Sequence, residues 1–361
     1  MNENKVIILP GDGIGPEVVA EAVKVLNKAV SLFGLEMVMQ EMLAGGEALD
    51  KLDAPLPDDT LQACRKARAV LHGTFGGPQW EDFPLSKRPL AALLNLRKEL
   101  DVYANLRYAR PLPSLFEKAP LKPEYLENVD ILIIREVTSG IYFGPKERRA
   151  LGRSIRASDT MVYADFEIER VARRAFEIAR TRKGKVTCVD KANVLESSRL
   201  WRKITRDVHR EYSDVELDFM YVDVCAMQLV LNPANFDVIL TSNIFGDILS
   251  DEASAVLVGS VGVLPSATLG KEEKTSLFGP IHGPVNEIAG QNKANPLGTV
   301  LSAALLLRFA WKNEEAAVSI ERAVEKVLEE GYRSTELMSA GKKEVGTREM
   351  GNLIVERMTR A

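Results

Sequence analysis

Cysteine is scarce in this chain. Three occur in 361 residues, Cys64, Cys188 and Cys225, and none stands in a C-x-x-C pair. That leaves neither a disulfide framework nor a thiolate zinc site, and a reducing compartment is the simplest setting. Histidine is as sparse, with three residues and no two at metal-ligand spacing, so a histidine zinc site is excluded as well. There is no excess of positive charge either. The balance of 47 Lys and Arg against 51 Asp and Glu gives a net charge of -4 and no broad field for nucleic acid or an anionic membrane. No apolar run reaches 18 residues, and MNENKVIILPGDGIGPE lacks the basic start and long apolar stretch of a secretion signal, so a soluble cytoplasmic protein is expected.

What the chain has is enough apolar residue, 46%, to bury a large core, and at this length two domains are expected. Short apolar runs alternate with helical spacing. Val6–Leu9 closes at Pro10-Gly11 and is followed by Val18, Val19, Ala22, Val25 and Leu26 on one helical face. The runs at 69–71, 130–134, 186–189 and 238–241 repeat the pattern, which predicts α/β layering around a largely parallel sheet. The segment KERRALGRSIR, 146–156, is basic and poor in apolar residues and reads as a solvated, protruding loop or arm. Beyond Asn295, LGTVLSAALLLRFAW and the helical pattern at 314–330 read as core helices.

The glycine loop at 11–16 lies where a dinucleotide fingerprint would lie, but its spacing is not G-x-G-x-x-G, and Pro16 takes the helix-start position. The fold expected is therefore α/β without being a Rossmann fold. Other residues carry chemistry more clearly. Arg97, Arg107 and Arg135 are planar donor forks suited to carboxylates, and several together would suit a diacid. Arg135 directly follows an apolar run and should emerge at the carboxyl end of a strand, where α/β proteins place ligands. Asp247 and Asp251 are four apart on a predicted helix, so their carboxylates share a face about 5 to 6 Å apart, a geometry for Mg²⁺ or Mn²⁺. A first-turn dipole contact and a solvated acid explain them equally well. Asp223 follows an apolar run that would otherwise shun charge. Lys191 follows a buried-looking strand, and held among arginines and a cation it could serve as a base near neutral pH. Tyr142, in a glycine-flanked turn, offers a hydroxyl proton, although packing is the commoner role for such a ring. His282, set between glycine and proline in a loop, is better placed to face a ligand than to pack.

Taken together, GDGIGPE, LLNLRK, YANLR, REVTSGIYFG, VDKANVLESSRLWR, NIFGDILSDEAS, LPSATLG and IHG…EIAGQNKANP occur in this order over most of the chain. The chain resembles the metal-dependent β-decarboxylating dehydrogenases of the isocitrate/isopropylmalate type. The resemblance implies a two-domain α/β fold with a parallel or mixed sheet: 1–102 plus 258–361 as the cofactor domain, and 103–257 as a central substrate, metal and dimerisation domain. It implies oxidative decarboxylation of a 3-substituted malate, with isopropyl as the substituent, in leucine biosynthesis. Arg97, Arg107 and Arg135 would hold the carboxylates, and Asp223, Asp247 and Asp251 the Mg²⁺ or Mn²⁺. Lys191 and Tyr142 would form the acid-base pair, with Asp223 beside them. Leu93, Leu94 and a neighbouring subunit's Val194 would line the apolar pocket, and NAD would lie against Ile14, Thr74, His282, Gly283, Glu287, Ala294 and Asn295. In the relatives the neighbouring subunit lends its counterparts of Lys191 and Asp223, so a homodimer is implied.

The sequence departs from the family pattern on the cofactor side. Leu90 and Gly279 stand where relatives carry glutamate, Pro284 removes a backbone donor, and Glu287 replaces an aspartate while keeping the charge that disfavours the 2′-phosphate of NADP. Two other readings stay open: a paralogue taking a bulkier benzyl- or alkyl-malate past Leu90, and a cofactor-impaired regulatory subunit.

Overall fold

The structure, a computed structural model, describes residues 2–272 and 274–360. Its contacts divide the chain into one unit running to Val102, with Leu112–Pro120 and everything from Val258 on, and a second unit of Tyr103–Pro111 and Leu121–Leu257. The segment 112–120, expected in the central domain, thus falls in the first unit. The reason is a buried cation: Arg333, fully enclosed, donates through Nη2 to the Ser114 carbonyl at 2.5 Å and through Nη1 to the Leu328 carbonyl at 2.6 Å. Among the described residues no helix is long and apolar enough to cross a membrane.

In the first unit five strands run in the order Val38–Glu41, Asn2–Gly11, Ala67–Thr74, Ser276–Pro280, Pro265–Leu269. The first three pairings are parallel and the last is antiparallel. Side chains alternate across a strand, so Ile7 and Leu9 share one face, packed with Cys64, Phe75, Ala92 and Leu96, while Val6 and Ile8 face the other way. Both faces are covered, which is why the run reads as continuously apolar. The helix Leu297–Phe309 buries nearly its whole circumference, as its all-round apolar sequence requires. At the carboxyl end of the strand Asn2–Gly11, Asp12 holds three loops together: its carboxylate accepts the backbone N–H of Gly46 at 2.8 Å and of Gly76 at 2.9 Å, beside Gly11 in the left-handed region at φ 71°. Pro16 opens the helix Gly15–Phe33.

The second unit orders its strands Ala104–Ala109, Ile131–Glu136, Val238–Thr241, Lys185–Asp190, Glu216–Tyr221. Only the first pairing is antiparallel. Helices Asp165–Ala179 and Glu196–His209 pack together over the central strands, and Val222–Leu231 and Asn243–Leu257 form a second pair. The basic segment expected as a loop or arm is a β-hairpin, Lys146–Leu151 against Ser154–Asp159, exposed along its whole length. Its charges are solvated, and Gly152, at φ 62°, makes the turn that a loop reading overlooks.

His72 lies buried in the strand Ala67–Thr74, its Nδ1 2.7 Å from the Gly73 carbonyl, and burial pushes its imidazole down to about 4. Its ring occupies the place that a side chain on Gly279 would need, so a residue larger than glycine at 279 collides with it. In the unfolded chain the imidazole titrates near 6.5, so the unfolded state takes up the proton first as pH falls. Stability conferred by the neutral ring is therefore complete above about pH 6.5 and lost progressively toward pH 4, by up to about 3 kcal/mol. His72→Leu should flatten this acid limb when denaturation midpoints at pH 4.5 and 7 are compared with wild type. An unchanged difference between the two pH values would contradict it.

Candidate functional site

Four parallel strands of the second unit end at one edge, and the residues that follow or terminate them are Arg135, Ser242-Asn243, Lys191 and Val222-Asp223. This is the edge at which open α/β sheets bind ligands. Sheet register then decides which side chains meet. Arg107 stands opposite Ile133, and Asn105 opposite Arg135, so Arg107, Asn105 and Arg135 share a face as direct and diagonal neighbours. The helix Asn243–Leu257 packs against these two strands and presents Asp247 to both arginines.

Both guanidiniums are buried, and their forks are filled by neighbouring oxygens. Arg135 Nη1 is paired with Asp247, while its Nε and Nη2 donate to Asn243 Oδ1 at 3.1 and 2.7 Å. Arg107 donates through Nε to Asn105 Oδ1 at 2.8 Å and through Nη1 to Ser250 Oγ at 2.5 Å, with Nη2 3.2 Å from Asp247 and Nη1 3.5 Å from Asp251. Burial, and then the charge of Arg135, push Arg107 down to about 10, a value at which it stays protonated at neutral pH. Gly246 gives the stem of Arg135 its room: a Cβ there would lie 2.7 Å from Arg135 Cβ.

Tyr142 ends the short turn Gly140–Tyr142, and its hydroxyl donates to Asp247 Oδ2 at 2.5 Å. Burial first, then the bond to Asp247, hold its phenol above the ordinary range, so it remains a proton donor at neutral pH. Asp251 lies one helical turn beyond Asp247, about half exposed, and its carboxyl is raised by partial desolvation and by Asp247 against the pull of Arg107. Two crowded carboxylates with oxygen-only donors fit a hard divalent cation.

The structure groups Lys191 and Asp223 separately. Lys191 Nζ is 2.5 Å from Asp223 Oδ1, and this bond holds the Asp223 carboxyl below its usual range. Within the chain Lys191 faces an anion, not the arginines beside which the sequence reading set it. The strand Lys185–Asp190, which Lys191 follows, lies two strands from Ile131–Glu136, which carries Arg135, roughly 10 Å at the usual spacing. Among the described residues no three of His, Cys, Asp and Glu are grouped to hold a metal ion. Val194, in the turn after Lys191, is exposed.

The residues singled out for the cofactor come from loops of the first unit. Ile14 and Ala294 pack with Val18, Ile288 and Ala289 into an apolar floor, and the Ile14 N–H donates to the Pro284 carbonyl at 2.8 Å. Proline at 284 has thus lost its donor while its acceptor ties the two loops together. Thr74 Oγ1 donates to the Asp12 carbonyl at 2.7 Å. Asn295 Nδ2 donates to Glu336 at 2.7 Å. The His282 ring is half-buried, and burial lowers its imidazole and keeps it neutral; Nδ1 lies 2.9 Å from the Gly283 carbonyl, and Nε2 is enclosed with no partner among the described residues. An enclosed Nε2 without a partner fits a ligand that supplies one. Gly283 and Glu287 are exposed beside it. On the helix Leu90–Glu99, positions 90, 93, 94 and 97 fall on one face, which gathers Leu90, Leu93, Leu94 and the buried Arg97.

Sequence reasoning missed Asn105, Asn243, Ser250, Asp12 and Glu336. A signal existed for two of them: Asn243 and Ser250 lie on the helical face of Asp247 and Asp251. Glu336, remote in sequence from the histidine loop, left none.

Comparison with known proteins gives the family. The model of the isocitrate/isopropylmalate dehydrogenase family matches residues 5–354. The 3-isopropylmalate dehydrogenase of Carboxydothermus hydrogenoformans is 51% identical over 98% of this chain and 94% of its own length. That of Moorella thermoacetica is 52% identical over 97% of this chain and 98% of its own. Among solved structures, isocitrate dehydrogenase from Methylococcus capsulatus superposes with a TM-score of 0.87 at 34% identity, over 98% of this chain and 99% of that one. A β-decarboxylating dehydrogenase from Thermococcus kodakarensis gives 0.78 at 34% identity, over 98% and 96%.

Because Arg135 passes over Gly246 without slack, Gly246→Ala should overpack the site and lower stability by about 1–3 kcal/mol, read as a shift in the denaturation midpoint. A midpoint equal to wild type would contradict the packing argument.

Proposed function

The chain belongs to the isocitrate/isopropylmalate dehydrogenase family, and from that premise we propose that it is the dehydrogenase that oxidises and decarboxylates 3-isopropylmalate to 4-methyl-2-oxopentanoate in leucine biosynthesis. The observation that carries the reading is one carboxylate, Asp247, shared by two buried arginines and by the hydroxyl of Tyr142. Such a site offers fixed positive charge to a diacid, an oxygen donor to a cation and a proton to a carbon centre.

Each residue then has a task. Arg107 and Arg135, with Arg97 assigned by family likeness, bind the malate carboxylates. Lys191 takes the C2 hydroxyl proton as hydride leaves C2. After CO₂ departs, Tyr142, kept protonated by its surroundings, delivers a proton to C3. Asp247 and Asp251, joined by Asp223, would hold Mg²⁺ or Mn²⁺, which when bound supplies Lewis acidity at the C2 oxygen. NAD, the hydride acceptor, is assigned to Ile14, Thr74, His282, Gly283, Glu287, Ala294 and Asn295, with the enclosed His282 Nε2 as the group awaiting a partner. Leu93 and Leu94, with Val194 of a second copy, would line the isopropyl pocket. A cytoplasmic location accords with this chemistry.

A homodimer completes the proposal. One chain keeps Lys191 and Asp223 on a different part of the strand edge from Arg135 and Asp247, while Val194, Met227, Leu231 and Ile248 leave apolar surface exposed on the second unit. A second copy covering that surface would bring its Lys191 and Asp223 to the first copy's arginines. A bulkier 3-substituent is the second reading, favoured by the half-exposed Leu90 on the face of Leu93 and Leu94; kcat/KM for benzylmalate against isopropylmalate decides between them.

Purified enzyme given isopropylmalate, NAD⁺ and Mg²⁺ should form NADH and CO₂, and a chelator should abolish turnover. No turnover with either NAD⁺ or NADP⁺ would favour a regulatory subunit instead. Lys191→Ala and Tyr142→Phe should each lower kcat by ~10² to 10⁴. Lys191→Ala and Asp251→Asn chains, each inactive alone, should recover roughly a quarter of wild-type activity when co-expressed, as a random mixture of dimers requires. Failure of that complementation would contradict shared sites.

A further inference from the structure

The turn that carries Tyr142 and the helix that carries Asp247 are joined by one amide side chain. Asn243, 1% exposed, accepts both Nε and Nη2 of Arg135 on Oδ1. Its Nδ2 donates to the Ser139 carbonyl at 3.0 Å, and its backbone N–H donates to the Tyr163 hydroxyl at 2.9 Å. The same turn is gripped from its other side by Glu136, whose buried carboxylate accepts the N–H groups of Thr138 at 2.8 Å and Ser139 at 3.0 Å and the Thr138 hydroxyl at 2.6 Å. Ser139 is thus held by its N–H and by its carbonyl. Gly140 follows at φ 77°, where a side chain would strike the Tyr163 hydroxyl that anchors Asn243. Two residues later comes Tyr142 on Asp247.

The amide at 243 does both jobs through two separate atoms, Oδ1 and Nδ2. The arginine fork needs an acceptor and the Ser139 carbonyl needs a donor; a carboxylate offers only the first and alanine offers neither. A buried network satisfied at every member is also rigid, because releasing one partner strands the others. We propose that Asn243 is a positioning residue that sets two catalytic elements at once, the guanidinium plane of Arg135 and the turn that delivers Tyr142, so that diacid binding and protonation share one support. The inference rests on the dehydrogenase reading above, because it takes Arg135 and Tyr142 as the diacid binder and the proton donor.

The test is steady-state kinetics of the dimeric enzyme with isopropylmalate, NAD⁺ and Mg²⁺. Asn243→Ala should raise KM for the diacid and lower kcat, each by ~10-fold or more, since small displacements of aligned groups are costly. KM for NAD⁺ should stay within about twofold, because nothing in the network touches the proposed cofactor residues. In a Tyr142→Phe background the same change should cost little further kcat, the non-additivity expected of residues that act as a unit. Should the alanine variant fail to fold, Asn243→Asp keeps the size and the acceptor for Arg135 but removes the donor to Ser139. It should lower kcat by a similar factor and be equally non-additive with Tyr142→Phe. Kinetics within twofold of wild type in a folded variant, additive losses with Tyr142→Phe, or an equal rise in the NAD⁺ KM would each overturn the proposal. A wild-type enzyme inactive on isopropylmalate would instead overturn the functional reading and this inference with it, whereas an active wild type with unaffected variants would overturn only the role of Asn243.

Discussion

Burying two guanidiniums against one carboxylate is the constraint around which the second unit is arranged. Arg107 and Arg135 are nearly inaccessible, and Asp247 stands against both. Removing charge from water is costly unless partners and hydrogen bonds replace the solvent. Asn105, Asn243 and Ser250 supply the remaining acceptors, so the forks are held in place by neutral oxygens as well as by carboxylates. Two arginines against Asp247 and Asp251 leave the cluster near neutrality. A dianionic substrate and a divalent cation, arriving together, preserve that balance, whereas either alone disturbs it. Electrostatics therefore favour a metal–diacid pair as the ligand.

Topology also sets what a second copy would contribute in the proposed dimer. Parallel strands deliver their following residues to one edge, but Lys191 and Asp223 follow strands displaced from that of Arg135 by the sheet's own spacing. Their ion pair satisfies both groups within one chain, and in the proposed dimer it would be exchanged for new partners. The first unit is built differently. Its loops present an apolar floor and a neutral histidine with one nitrogen unpartnered, surroundings suited to a planar, hydrogen-bonding ligand more than to an ion.

Much of this was legible in the sequence, for identifiable reasons. Strand runs and helix starts showed because burial on both faces makes strands continuously apolar, and Pro16 marked a helix N-terminus. Asp247 and Asp251 could be placed on one face because helical spacing is rigid. The hairpin at 146–159 was hidden because its residues are solvated on both faces and carry no alternation. The place of 112–120 was hidden because it depends on Arg333, more than 200 residues away. Asn243 opens the NIFGDILSDEAS motif but carried no assigned role, since an amide's role emerges only when its donor and its acceptor are both located. Leu90 and Gly279 looked like losses on the cofactor side. Gly279 is in fact required by the His72 ring, a pairing that no local pattern reveals.

The central claim, that Asp247 and Asp251 face a metal–diacid pair held by Arg107 and Arg135, is tested most directly by Mn²⁺ binding followed by electron paramagnetic resonance. The account predicts one Mn²⁺ per chain, bound more tightly when isopropylmalate is present, with that enhancement lost in Asp251→Asn and in Arg107→Ala. Mn²⁺ binding that is indifferent to the diacid, or unchanged in both variants, would contradict it.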